Sequence, residues 1–204
     1  MNMDKKQEIA EKACKLYNEY GIRSVTMDDV VRELGISKKT LYQYFNDKSE
    51  LIRAALDCES QRRFQEHKSA VDKSSNAIDQ MLNYYDLQMR MIKEHNPSLV
   101  YDLKKYYPEI HNNFLEKKRK GIYESVLANL IQGKSEGLYR DDLNEKIIAR
   151  LNLMRVEAFI NSGIFDHKEI MTPEFFKEMF TYHIYGILNE KGRKILEQNI
   201  DKLK

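Results

Sequence analysis

VTMDDVVRELGISKKTLYQYFNDKSEL, running from Val25 to Leu51, reads as two short helices joined by a tight turn, with a third helix starting at once behind them. Thr26 precedes Met27-Asp28-Asp29 and the apolar pair Val30-Val31. Its hydroxyl suits the exposed amides of a helix start, and the two carboxylates suit the positive end of the helix dipole. The first helix should stop near Leu34, because Gly35 supplies the left-handed residue that a sharp stop needs. Ile36 plugs the turn, and Ser37 caps a second helix of about two turns through Phe45. Leu41 and Phe45, four apart, share the core face and leave Lys38, Lys39, Thr40, Gln43 and Tyr44 on others. Asp47 with Glu50 three residues on has the form of a capping box, so a new helix begins there.

Two short helices around such a turn form a helix-turn-helix, whose commonest use places the second helix in the major groove of DNA. Lys, Thr, Gln and Tyr side chains meet phosphates and base edges, and Gln43 has the geometry to pair with adenine. A three-helix protein-binding module with a solvated polar face is the competing reading.

Thr26, Gly35-Ile36-Ser37, Leu41-Tyr42-Gln43-Tyr44-Phe45, Lys48 and Leu51 together resemble the DNA-binding domain of the tetracycline-repressor (TetR) family of bacterial transcriptional regulators, over roughly residues 5–52. The resemblance implies base-edge contacts from Lys38, Lys39, Gln43 or Tyr44, and phosphate contacts from Thr26, Thr40, Tyr42 and Lys48. Lys39 stands where the family often has a small residue, and Val31 where it often has Ala; both departures bear on the target sequence more than on the fold. The resemblance also implies a homodimer formed through the helices at about Leu143–Ser162 and Pro173–Asn189, with Ile148, Met154, Phe159, Phe180, Ile184 and Leu188 as interface candidates. It implies a small-molecule effector in the C-terminal domain, where Met81, Tyr85, Met89, Tyr101, Phe114 and Tyr123 are candidate lining residues. The alternative for every member of these two sets is ordinary core packing, which produces the same helical stripe.

Composition points the same way. The 204 residues are 42% hydrophobic and include only 3 Pro and 8 Gly. Apolar residues recur at helical spacing without alternation, so an all-helical chain is expected: a helix-turn-helix domain over residues 1–50 and a larger effector-binding and dimerisation domain over 51–204. That boundary falls inside a helix, which would couple the two parts rigidly. The net charge is only +2, and residues 1–50 hold nine Lys or Arg against nine Asp or Glu, so positive charge must be gathered locally at Lys38, Lys39 and Lys48.

Cys14 and Cys58 have no metal-binding spacing and read as free thiols in a reducing compartment. The N-terminus has no apolar signal core, and no run approaches the roughly 20 apolar residues that span a bilayer. A soluble, cytoplasmic protein is expected, without membrane partner or cofactor.

Further along, Ile9, Ala13, Leu16, Tyr17 and Tyr20 mark the inner face of a first helix ended by Gly21. Lys73–Asn76 reads as a loop, with Ser75 or Asn76 capping the stripe Ile78, Met81, Leu82, Tyr85, Met89 and Ile92. Asn96-Pro97, Pro108 and Thr172-Pro173 are helix starts. Ile110, Phe114, Ile122, Val126, Leu130 and Ile131 carry one helix toward Gly133. Gly133-Lys134-Ser135 resembles the end of a phosphate loop, but position 128 is Ala and a helix precedes it. His67, His95, His111, His167 and His183 are scattered without metal-ligand spacing, and the Glu116–Lys120 charge run reads as a solvated face. The sequence therefore predicts a DNA-binding repressor that holds a palindromic operator as a homodimer and leaves it on binding an effector. A helical protein-binding adaptor or a helical enzyme are the alternatives.

Overall fold

A computed structural model describes residues 3–93, 97–161 and 165–199. Among them the chain is helical throughout: α1 (Met3–Tyr20), α2 (Met27–Leu34), α3 (Lys38–Tyr44), α4 (Lys48–Asp72), α5 (Ala77–Lys93), α6 (Pro97–Tyr106), α7 (Pro108–Ser135), α8 (Glu145–Asn161), α9 (His167–Ile170), α10 (Pro173–Ile187) and α11 (Glu190–Gln198). One isolated bridge, Tyr139 to Leu188, is the only extended pairing among these residues. Contacts gather into two compact units, residues 1–66 with 95–116, and residues 67–94 with 117–204.

The first unit is built around the helix-turn-helix. Ile9, Ala13 and Tyr17 of α1, Val30 of α2, Leu41 and Phe45 around α3, and Leu51, Ile52 and Ala55 of α4 close one core with Leu103 of α6 and Ile110 of α7. Each such Ile, Leu or Phe contributes about 1.5–3 kcal/mol by leaving water. The packing thus runs past residue 50 and takes in α6, because the early turns of α4 present Leu51, Ile52, Ala55 and Leu56 to this core. Tyr20, expected on the inner face, is instead 56% exposed at the end of α1, where Gly21 turns the chain at φ +81°.

The second unit packs Ala77, Ile78, Leu82 and Tyr85 of α5 against Leu130 of α7, Ala149 of α8, Phe176, Phe180, Ile184 and Ile187 of α10, and Leu196 of α11. Tyr139 is its largest fully buried side chain; its hydroxyl donates to Asn129 Oδ1 at 2.8 Å. Asn76 caps α5 by accepting the Ile78 and Asp79 amides, and Thr172 with Pro173 opens α10 as expected. The helix expected from Leu143 begins at Glu145, because Asn144 Oδ1 accepts the Ile147 amide while Leu143 is buried before the helix starts. Helix α11 was not legible as a separate element; Asn189 breaks from α10 and caps it by accepting the Gly192 amide. Ile131, placed by its spacing on an apolar stripe, is 54% exposed. The expected cap Asn96 and the expected helix end Ser162 lie outside the described residues.

Candidate nucleic-acid interface

Local chemistry sets the helix-turn-helix. Thr26 and Asp29 form a reciprocal capping box: the Asp29 amide donates to Thr26 Oγ1 at 3.1 Å, and the Thr26 amide donates to Asp29 Oδ2 at 2.8 Å. The Thr26 hydroxyl also reaches Asp29 Oδ2 at 2.6 Å, and these two bonds, the hydroxyl's first, hold the Asp29 carboxyl below its usual range. Gly35 closes α2 in the left-handed conformation at φ +62°. Ser37 Oγ then accepts the Thr40 amide at 3.0 Å and opens α3. Asp47 Oδ1 accepts the Glu50 amide as expected, but the Glu50 carboxylate turns to the Asn46 amide and to Lys6 rather than closing a reciprocal box.

The eight expected DNA-contacting residues divide. Lys39, Tyr42 and Gln43 are exposed, at positions i, i+3 and i+4 of α3, and so share one face. Lys38 is exposed too, but its Nζ pairs with Asp28 of α2 at 2.8 Å, and the hydrogen bond to that carboxylate raises its pKa. Thr40 is half-buried with its hydroxyl 2.7 Å from Ser37 Oγ, and Tyr44 is half-buried against the core, away from the exposed face. Thr26 is exposed but serves the cap. Lys48 is half-buried; its Nζ donates to the Ile22 carbonyl at 2.6 Å, and burial lowers its pKa against the pull of Asp102 and Asp29.

Sequence reading missed Asp102. This buried carboxylate of α6 accepts the Arg23 amide at 2.8 Å and so holds the chain between α1 and α2. Arg23 Nη1 donates to Tyr106 Oη at 3.0 Å and its guanidinium lies 5.3 Å from that ring. An acid inside LVYDLKKY is a weak signal, and its partner lies 79 residues away. An open cleft of about 360 Å³ lies here, lined by Tyr20, Arg23, Ser24, Ser98, Tyr101 and Asp102.

The expected effector residues fall in both units. Tyr101, 57% exposed, and Phe114, half-buried on the first core, belong to the first unit. Met81, Met89 and Tyr123 pack against the second core, and Tyr85 is buried in it, stacked on Phe176 at 5.5 Å and tilted against Phe180 at 4.9 Å. A second cleft, about 220 Å³ between Ser75–Leu82 and Ile195 and Asn199, contains none of them.

The dimer candidates differ in exposure. Phe180, Ile184 and Leu188 are 4%, 0% and 1% exposed, because the inner stripe of α10 is used by the chain's own second core. Ile148 is half-buried on the same core, and the side chain of Phe159 lies outside the described residues. Met154 remains accessible at 61%, in line with Ile147 at 53% and Leu151 at 47% on α8. Among the described residues no group of three or more His, Cys, Asp or Glu is placed to hold a metal ion, and no helix is long and apolar enough to cross a membrane.

Comparison with known proteins bears on this head. Residues 9–55 match the family model of bacterial regulatory proteins, tetR family. An HTH-type transcriptional regulator of Staphylococcus aureus (strain USA300) is 44% identical over 48 residues, 24% of this chain and 26% of that protein. The match therefore spans about a quarter of the curated relatives' length. Over nearly the whole chain the fold is that of solved regulators. A transcriptional regulator from Cytophaga hutchinsonii aligns with TM-score 0.74 at 19% identity, over 91% of this chain and 99% of that one. A putative transcriptional regulator from Saccharomonospora viridis, solved in complex with choline, aligns with TM-score 0.67 at 17% identity, over 93% and 100%.

Proposed function

We propose that this chain, whose N-terminal domain belongs to the tetR family of bacterial regulatory proteins, is a ligand-responsive repressor that binds a palindromic operator as a homodimer. The observation that carries the DNA-binding reading is the capped α3 with Lys39, Tyr42 and Gln43 exposed together on one face. A helix held by Ser37 at one end and by Leu41 and Phe45 in the core presents those three side chains on a fixed frame. Gln43 suits adenine, Lys39 suits guanine or phosphate, and Tyr42 suits phosphate. Thr26 and Lys48 support the reading differently from a phosphate contact: one caps α2, the other ties the start of α4 to the turn after α1.

Dimerisation is supported by Ile147, Leu151 and Met154, which at spacings of four and three form an exposed apolar stripe along α8. Two-fold pairing would present two α3 helices to a palindrome. Release by a small molecule is supported by likeness to regulators such as the choline-bound one, and requires a ligand that prefers one of two states.

Selection of purified protein against a random duplex library tests the reading. An enriched palindrome, lost in Gln43→Ala together with Lys39→Ala, is expected. Affinity should fall steeply with salt as counterions are released. Folded protein that enriches nothing at low salt, or whose partner affinity ignores salt, would favour the protein-binding adaptor.

A further inference from the structure

The second unit draws a positive charge partly out of water with no carboxylate bonded to it among the described residues. Arg155 of α8 is half-buried. Its Nη1 donates to the Met179 carbonyl at 3.3 Å and its Nη2 to Asn152 Oδ1 at 2.6 Å. Its Nε is buried and has no hydrogen-bond partner among the described residues. Neither acceptor is a carboxylate, although a guanidinium drawn out of water ordinarily finds one, often through two parallel hydrogen bonds.

The surroundings make this cation costly. The Tyr84 hydroxyl on α5 is buried deeply enough to raise its pKa to about 12, against the opposing pull of Arg155. His183 on α10 is pushed down to about 4 by burial first and by Arg155 second, so it is neutral at pH 7. Burial lowers the pKa of Arg155 as well. Burial also lowers the pKa of His67, which meets the Tyr84 ring edge-on at 6.1 Å and lies 3.3 Å from Ser125 Oγ. The buried Tyr85 hydroxyl in the same unit has no hydrogen-bond partner among the described residues either. Buried polar groups without partners are rare in folded proteins, and each calls for a physical cause, a bound group among them.

We propose that Arg155 anchors the carboxylate of a small apolar ligand, with its Nε as the donor held ready. This rests on the reading of the second unit as ligand-responsive and names the chemical class of the ligand. A monoanion matches one guanidinium among neutral groups. A phosphate dianion would leave surplus charge buried, and a quaternary ammonium would meet a like charge. The bound carboxylate also opposes the Arg155 field at His183, so ligand binding raises the His183 pKa.

Binding of octanoate, octanol and octyltrimethylammonium to the full-length protein without DNA, by calorimetry and thermal shift, tests this. Octanoate should bind about ten- to a hundredfold tighter than octanol, the range for a charge-assisted hydrogen bond, and the ammonium weakest. Arg155→Gln should erase that preference while leaving the free protein at least as stable as the parent, since an uncompensated buried charge has gone. The His183 ring resonance should titrate at higher pH with octanoate present. Equal binding of octanoate and octanol, no octanoate binding by folded protein, or an unchanged preference in Arg155→Gln would overturn the proposal. Arg155-dependent octanoate binding that leaves DNA affinity unchanged would uphold the anchor and refute the ligand-release part of the regulator reading.

Discussion

Two glycines of α7 have opposite demands placed on them, and substituting each by alanine gives a matched test of the second unit. A Cβ on Gly133 would stand 2.2, 2.3 and 2.6 Å from Cε2, Cδ2 and Cζ of Tyr139, well inside ordinary contact. The ring cannot step aside freely: Tyr139 is fully buried, its hydroxyl donates to Asn129 Oδ1, and its backbone sits in the bridge to Leu188. Overpacking costs about 1–3 kcal/mol, and losing the buried hydroxyl's partner costs about the same again. Alanine regains about 1 kcal/mol of helix propensity. Gly133→Ala should therefore destabilise by about 2 kcal/mol or more. Gly121, exposed in the same helix, meets nothing within 4 Å, so Gly121→Ala should stabilise by about 0.4–1 kcal/mol. Urea denaturation followed by circular dichroism, with calorimetry as the check on two-state behaviour, measures both. A Gly133→Ala protein as stable as the parent would refute the packing argument; a destabilised Gly121→Ala would refute the propensity argument.

His183 binds a proton more weakly folded, at about 4, than at its ordinary 6.5, so its contribution to stability is complete above pH 6.5 and is lost as pH falls toward 4. That contribution is about 3 kcal/mol, and His183→Gln should flatten the acid limb of a urea-midpoint profile; parallel profiles would remove His183 as the cause. Gln43→Ala should relax preference at one base position by about 1–3 kcal/mol while Lys39→Ala reduces the salt slope, both read by binding to a selected duplex and its single-base variants. Leu151→Asp on the exposed stripe of α8 should shift sedimentation from dimer to monomer with the helical spectrum unchanged; a retained dimer would place the interface elsewhere.

What the sequence disclosed was local. Thr26, Gly35, Ser37, Asn76 and Thr172 act on amides two to three residues away or on their own backbone, so the helix boundaries near them were readable from composition and spacing. Contacts across the chain were not. Lys48 carries the residue type of a phosphate ligand, yet its ammonium bonds to a carbonyl 26 residues back. Asp102 supports the turn after α1 through a contact no periodicity announces. The stripe of Phe180, Ile184 and Leu188 has the same period whether it faces its own chain or a second copy, and only the position of α5, α7 and α11 decides between them. Helix α11 was hidden for a related reason: its polar residues outnumber Leu196 and Ile195, and the break at Asn189 depends on bonds to the Gly137 and Tyr139 carbonyls.

The pairing of Lys38 with Asp28 bears on how such a protein would search a genome. A recognition helix whose first lysine is already neutralised by a neighbouring helix offers bulk DNA less charge than its composition suggests. Engaging a phosphate or guanine with Lys38 means displacing Asp28, so part of the electrostatic gain is withheld until the groove is close enough to compete. Random duplex, touched at a distance, would be held weakly and released quickly. A fitted site, which brings Lys39, Tyr42 and Gln43 into contact at once, would repay the exchange. Asp28→Asn removes that gate: occupancy should rise on every sequence, and the ratio of operator to bulk binding should fall.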